Sequence, residues 1–228
     1  MDVLEIVPRL DDSALALTEV QLDAGEAHAA AGVEHDSLVY VFNGSGLLAV
    51  DDETWPIAAG AAGLVLAGEA ARIEAVEGAL SAFVATVGSE TDRHAPIGAR
   101  ETVSRLNQAD AERATGARSF QVLLGPHNGS TRATLFAGYI PPGKAPWHYH
   151  LYDEIVWVPE GPGRLHIGDA TQELGPGAAF RLRPRQVHIV ENTSSERAIT
   201  VIGVFTPAGS PSAAYLTPDV AAEYRFSG

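Results

Sequence analysis

The sequence predicts an all-β protein made of two tandem β-barrel or sandwich domains, and three observations carry that reading. Runs of four to eight residues rich in Val, Leu, Ile, Phe and Tyr recur along the chain. Glycine and proline clusters punctuate them, among them NGSG at 43, PPG at 141, EGPG at 160 and GPG at 175. Short strands at regular spacing between such turn signals are the mark of sandwiches and barrels. The third observation is an internal repeat. Residues 37 to 66 align without a gap on residues 154 to 183, matching Val39 with Val156, Val41 with Val158, Gly44 with Gly161, Gly46 with Gly163, Asp52 with Asp169 and Gly60 with Gly177. Val84 meets Val201 further on, and one offset of 117 residues holds throughout. Self-similarity at a fixed offset over so long a block indicates two copies of one domain.

The copies are expected at residues 1–90 and 119–228, with residues 91–118 as a polar, Arg/Glu/Ala-rich linker. Within that linker ARETVSRLNQADAERA suits a short helix or an irregular crossover equally well. The proline- and serine-rich tail carries Tyr215 and Phe226, which give it apolar groups to pack on a surface.

Bulk composition excludes several functions. At 228 residues the chain can bury one large core or two smaller ones. A net charge of −14, with Lys144 as the sole lysine, argues against nucleic acid, because phosphate binding needs clustered cations. The chain has no cysteine, so disulfides, thiolate chemistry and thiolate zinc sites are ruled out. The N-terminus MDVLEIVPRLDD lacks the long apolar core of a secretory signal. The weakly polar run PIAAGAAGLVLAG is too short and glycine-rich to cross a bilayer. A cytoplasmic protein that works on a small molecule, with neither nucleic acid nor membrane as partner, is the expectation; a homodimer is open to it.

Chemistry concentrates in PPGKAPWHYHLYDEIVWVPEGPG, residues 141 to 163. Alternate side chains of a strand share a face, so His148 and His150 aim two imidazoles into one space. Glu154 follows at a short step, and His188 is offered by a later strand with Asn192 beyond it. Three neutral imidazoles and a carboxylate at about 2.0–2.2 Å would hold a divalent first-row metal and leave positions open for water or substrate.

The pattern Gly143…His148-x-His150-x3-Glu154-x6-Gly161, then Gly177-x10-His188-x3-Asn192, resembles the two motifs of the cupin superfamily, and the internal repeat makes the chain resemble a bicupin. The resemblance implies two tandem jelly-roll β-barrels. It also implies one divalent ion, Fe, Mn, Zn or Ni, on His148, His150, Glu154 and His188. Two departures alter the rim without removing a ligand. Four residues rather than the usual five separate Gly143 from His148, and Arg183 and Arg185 flank Pro184 where Pro and Gly are usual. At the same offset the first copy has Ala31, Val33, Ser37 and Ala71, so its barrel is expected to hold no metal there. A substitute cluster from His28, Glu34, His35 and Asp36 is the weaker alternative.

Two further residues are candidates for catalysis. Tyr152 stands beside the motif as a pocket wall or proton donor. Arg181 alternates with apolar neighbours, together with Arg183, and would grip a carboxylate if that face lines the barrel, or sit at the surface if it does not. Arg164, His166 and His127 read as surface groups, and Trp147 and Trp157 as packing between sheets or domains. The resemblance favours a metal-dependent enzyme of the dioxygenase kind. Cupin isomerases, decarboxylases and hydrolases use similar ligands, and a non-enzymatic binding or sensor barrel with a structural metal competes with all of them.

Overall fold

A computed structural model describes residues 1–11, 13–89, 91, 94–107, 111–113 and 118–218. Its first half consists of β1 (Asp2–Val7), β2 (Leu15–Leu22), β3 (Ala27–Ala29), β4 (His35–Val50), β5 (Glu53–Ala58), β6 (Ala61–Val65), β7 (Ala71–Glu74), β8 (Leu80–Gly88) and β9 (Val103–Arg105). The second half follows with β10 (Glu112–Arg113), β11 (Ser119–Leu124), β12 (Thr134–Ile140), β13 (Gly143–Lys144), β14 (His148–Tyr149) and β15 (Asp153–Val158). It ends with β16 (Gly163–Ile167), β17 (Ala170–Leu174), β18 (Ala178–Leu182), β19 (His188–Asn192), β20 (Ile199–Thr206) and β21 (Tyr215–Leu216). Phe226 lies outside the described residues.

The repeat is carried into three dimensions. One face of the first barrel runs β1-β2-β8-β4-β6, and the second barrel repeats it as β11-β12-β20-β15-β18. The long β4 serves both faces of its barrel, pairing β6 and β8 early and β5 and β7 later. In the second barrel that path is split between β15 and β16, which lie in separate sheets. Turn chemistry repeats too. Asp51 and Gly168 hold left-handed backbone at φ 50° and 54°, each opening the hairpin turn at the same place in its copy. The architecture is the expected pair of tandem jelly-roll barrels.

The segment expected as a plain linker also builds structure. Its β9 pairs with β6, and its β10 pairs with β11, so it extends one sheet in each barrel. None of its described residues is helical. Val103 opposite Gly63 meets an edge of open backbone groups, and a β-branched residue there favours the strand.

The two barrels pack outer face to outer face. Leu38, Tyr40, Leu64 and Phe83 of the first share one buried cluster with Leu135, Ile155, Ile202 and Val204 of the second. Trp157 packs against the stacked pair Phe42 and Phe83, with ring centroids 5.0 and 4.4 Å away. Polar groups lock the interface as well. Asp36 and Arg132 form a buried ion pair at 2.8 Å, and the Ser13 hydroxyl donates to the Asp153 carboxylate. Each barrel keeps its own interior: Val39, Val41, Leu48 and Ile73 in the first, Val156, Val158, Leu165 and Val190 in the second.

Truncating one partner of a buried pair strands the other charge. Arg132→Ala is therefore expected to destabilise the protein by about 3–5 kcal/mol, measured by denaturant unfolding, although residue 132 is no part of the cavity.

Candidate metal centre

Strand alternation sets up the site. On β15, Glu154, Val156 and Val158 face the interior of the second barrel, while Ile155 and Trp157 face the first barrel. β14 delivers His148, which pairs in register with His188 at the start of β19. His150 follows two residues later on the same face. The imidazole centroids stand 5.0 Å apart for His148 and His150, 4.4 Å for His148 and His188, and 5.1 Å for His150 and His188. One ring nitrogen from each lies within 4.8 Å of the others. Glu154 places Oε2 3.8 Å from His150 Nε2. All four residues are buried.

Hydrogen bonds fix the tautomers. Nδ1–H of His148 donates to the Pro146 carbonyl at 2.8 Å, that of His188 to Gln186 at 2.9 Å, and that of His150 to Ala213 at 3.3 Å. Carbonyl oxygens only accept, so each Nδ1 carries the proton and each Nε2 turns its lone pair towards the cavity, where that of His148 accepts from Arg118 Nη1. Lone pairs of this kind, with the opposite nitrogen anchored, are the donor set that a divalent ion takes. Donors on a common ion at about 2.1 Å stand roughly 3–3.5 Å apart. Closing on a cation therefore asks for shifts of tenths of an ångström to about an ångström. The donor set fits a divalent metal.

Burial governs the electrostatics. Loss of water pushes His148 down to about 2, His150 to about 3 and His188 to about 4, with the Arg118 charge adding to each. The rings therefore stay neutral. The same loss of water pushes the Glu154 carboxyl up to about 8, against the opposing pull of Arg118. Burial raises the Tyr152 phenol far above its usual range, so it remains a hydroxyl.

Tyr152 lines the cavity. It stacks on His150 at 4.5 Å and on Phe205 at 3.9 Å. Arg181 does not reach the site. It pairs with Ile155 in register, which turns its guanidinium to the inter-barrel face, where it donates to the Leu15 carbonyl and lies 3.7 Å from Asp153. The cation that does line the cavity is Arg118, with Nη1 3.4 Å from His148 Nε2. Sequence reasoning left it in the linker, because a lone arginine before a strand carries no motif. Phe136 and the tail residue Pro211 also line the cavity and have no local signal. His166 bonds Glu191 and Thr171, and His127 is exposed. In the first barrel Asp36 is committed to Arg132 and to the Ala67 amide.

Gly203 is required for space. A Cβ there would meet the Phe136 ring at 2.3 Å and Glu154 Oε1 at 3.1 Å. Gly203→Ala should cost about 1–3 kcal/mol by overpacking and lower metal uptake, checked by unfolding and elemental analysis. The pH dependence of the metal-free protein has opposing parts. The imidazoles hold fewer protons folded than unfolded, so their contribution is complete above 6.5 and is lost as pH falls towards 4 and below. Glu154 holds its proton longer when folded, so its contribution is complete below 4.5 and is lost as pH rises to about 8. Above 6.5 Glu154 acts without the imidazoles. In chelator, the parent should lose melting temperature between pH 6.5 and 8 relative to Glu154→Gln, read by thermal scans of both.

The second barrel has an independent likeness: residues 137–205 match the family model described as Cupin domain. No curated protein matches the chain by sequence. Among solved structures, AerE from Microcystis aeruginosa superposes with a TM-score of 0.70 at 14% identity, covering 89% of this chain and 98% of that one. Oxalate decarboxylase from Lactobacillus farciminis, solved as a formate complex, gives 0.74 at 12% identity, covering 93% and 82%. Oxalate decarboxylase from Bacillus subtilis, in a study of its Mn(II) centres, gives 0.67 at 14%, covering 90% and 71%. At such identities the likeness is one of fold. Motif spacing and matched domain agree: residues 137–205 carry a cupin domain, and the doubled barrel shares its fold with these structures.

Proposed function

We propose that the chain is a metal-dependent enzyme in which His148, His150, Glu154 and His188 hold one divalent ion, Fe, Mn, Zn or Ni, and the substrate is a small polar or anionic molecule. The observation that carries this is the convergence of three anchored imidazoles on one buried point beside a carboxyl group. Such an ion would supply Lewis-acid activation of a substrate oxygen and, if redox-active, electron transfer. As proposed units, residues 1–90 and 119–228 are the two barrels and 91–118 joins them, lending a strand to each.

The chain's own groups define what can enter. The cavity measures about 70 Å³, room for a molecule of a few heavy atoms. Arg118 offers a fork of donors suited to a carboxylate. Tyr152 presents a neutral phenol beside His150 and can donate a hydrogen bond but not act as an anion. Ile140, Val156, Leu182, Val190 and Val201 form apolar walls that exclude water. Within this frame we favour dioxygenase-type oxidation. Decarboxylation is the second reading, supported by Arg118 at the cavity and by the fold shared with oxalate decarboxylases.

Protein purified without added metal should contain close to one divalent ion per chain by elemental analysis, and His148→Ala almost none. An oxygen electrode and CO₂ detection with a panel of small carboxylates then separate the two reactions. Turnover with oxygen uptake supports the first, and CO₂ release without net oxygen uptake supports the second. A metal-loaded protein that turns over nothing and keeps no exchangeable water on its ion is a binding barrel instead. A parent free of metal overturns the proposal.

A further inference from the structure

We infer that the C-terminal segment 209–217 is a working part of the metal centre, a strap that positions His150 and closes the cavity, so that metal retention depends on its being docked. The inference rests on the metal-centre reading above. Its starting point is an asymmetry among the three imidazoles. His148 and His188 each find the acceptor for Nδ1–H two residues back in the chain, just before their strands, at Pro146 and Gln186. His150 instead uses Ala213, 63 residues away. Of the three rings, His150 alone has its tautomer and tilt set by a distant piece of chain.

The strap is held at both ends and arched between them. At one end the Thr134 hydroxyl donates to the Gly209 carbonyl at 2.9 Å and accepts from the Gly209 amide at 3.0 Å. At the other, Tyr215 and Leu216 form β21 and pair with Tyr149 and His148. The Tyr215 ring stacks on Tyr149 at 5.4 Å with planes 16° apart. The Thr217 amide donates to the Trp147 carbonyl at 3.4 Å. In the arch the Ala213 amide donates to the Ser210 carbonyl at 3.0 Å, which aims the Ala213 carbonyl at His150. Pro211 is buried and lines the cavity as part of its roof.

The latch is slight, a two-residue ladder and one half-exposed aromatic pair, whereas what it covers is a buried donor set. A strap of this build releases at far lower cost than the barrel unfolds. Its release would remove the orienting acceptor of one ligand and the roof of the cavity together. Outer partners of a metal-bound histidine affect metal affinity by about 10–100-fold. Linkage makes the effect reciprocal, so bound metal must also favour the docked strap.

The test uses the full chain loaded with Zn²⁺, a chelator as competitor, and two latch variants, Tyr215→Ala and Tyr215→Phe. Tyr215→Ala should lose Zn²⁺ to the chelator about tenfold faster than the parent at an unchanged far-UV spectrum, and bind it about 10–100-fold more weakly. Tyr215→Phe keeps the ring and should behave as the parent. Hydrogen exchange of the amides at 215–217 should slow when Zn²⁺ is added to the parent. A Tyr215→Ala protein that releases Zn²⁺ within twofold of the parent rate, or amides at 215–217 indifferent to Zn²⁺, overturns the strap and leaves the metal centre standing. A parent that takes up no Zn²⁺ overturns the metal-centre reading, and the strap with it.

Discussion

The two-residue alternation of β15 is the constraint on which both halves of the molecule depend. Asp153, Ile155 and Trp157 belong to the inter-barrel interface, and Glu154, Val156 and Val158 to the interior of the second barrel. A register slip of one residue would send the carboxyl into the apolar interface and the tryptophan into the cavity. Neighbouring strands keep the same beat. Ile202 and Val204 of β20 face the first barrel, while Gly203 faces Phe136 and Glu154. Glu154 is thus held by the same pleat that joins the barrels.

Burying three imidazoles and a carboxyl without a cation is costly, because polar groups lose water and regain few partners. The chain limits that cost in a particular way. Each imidazole satisfies one nitrogen with a backbone carbonyl and leaves the other facing its neighbours. The carboxyl answers by keeping its proton to unusually high pH. A divalent ion would relieve both at once, accepting the lone pairs and releasing the proton.

Much of this was legible in the sequence, for reasons that are local. Glycines at left-handed turns and runs of alternating apolar residues are short-range signals, and they exposed the doubled barrel. The motif around His148, His150 and Glu154 is equally compact, since i and i+2 must share a face of a strand. Arg181 shows where such reasoning ends. Its alternation with Phe180 and Leu182 was plain, yet which side met the cavity depended on pairing with β15, far along the chain. Arg118, Phe136, Pro211 and Ala213 reach the site only through tertiary packing, so no window of sequence could have joined them. The linker's strands have a related origin, because they form where barrel edges offer open backbone groups.

Outer-face packing has a consequence for the earlier copy. Leu38 and Tyr40 must fit a neighbour's contours, whereas Val39 and Val41 look into a hollow filled by aliphatic side chains. Selection on the two sets therefore differs in kind. One is held to a shape; the other need only preserve volume, and can drift among residues of similar bulk. A barrel packed in this way buttresses its neighbour, and its history should be written in every second residue.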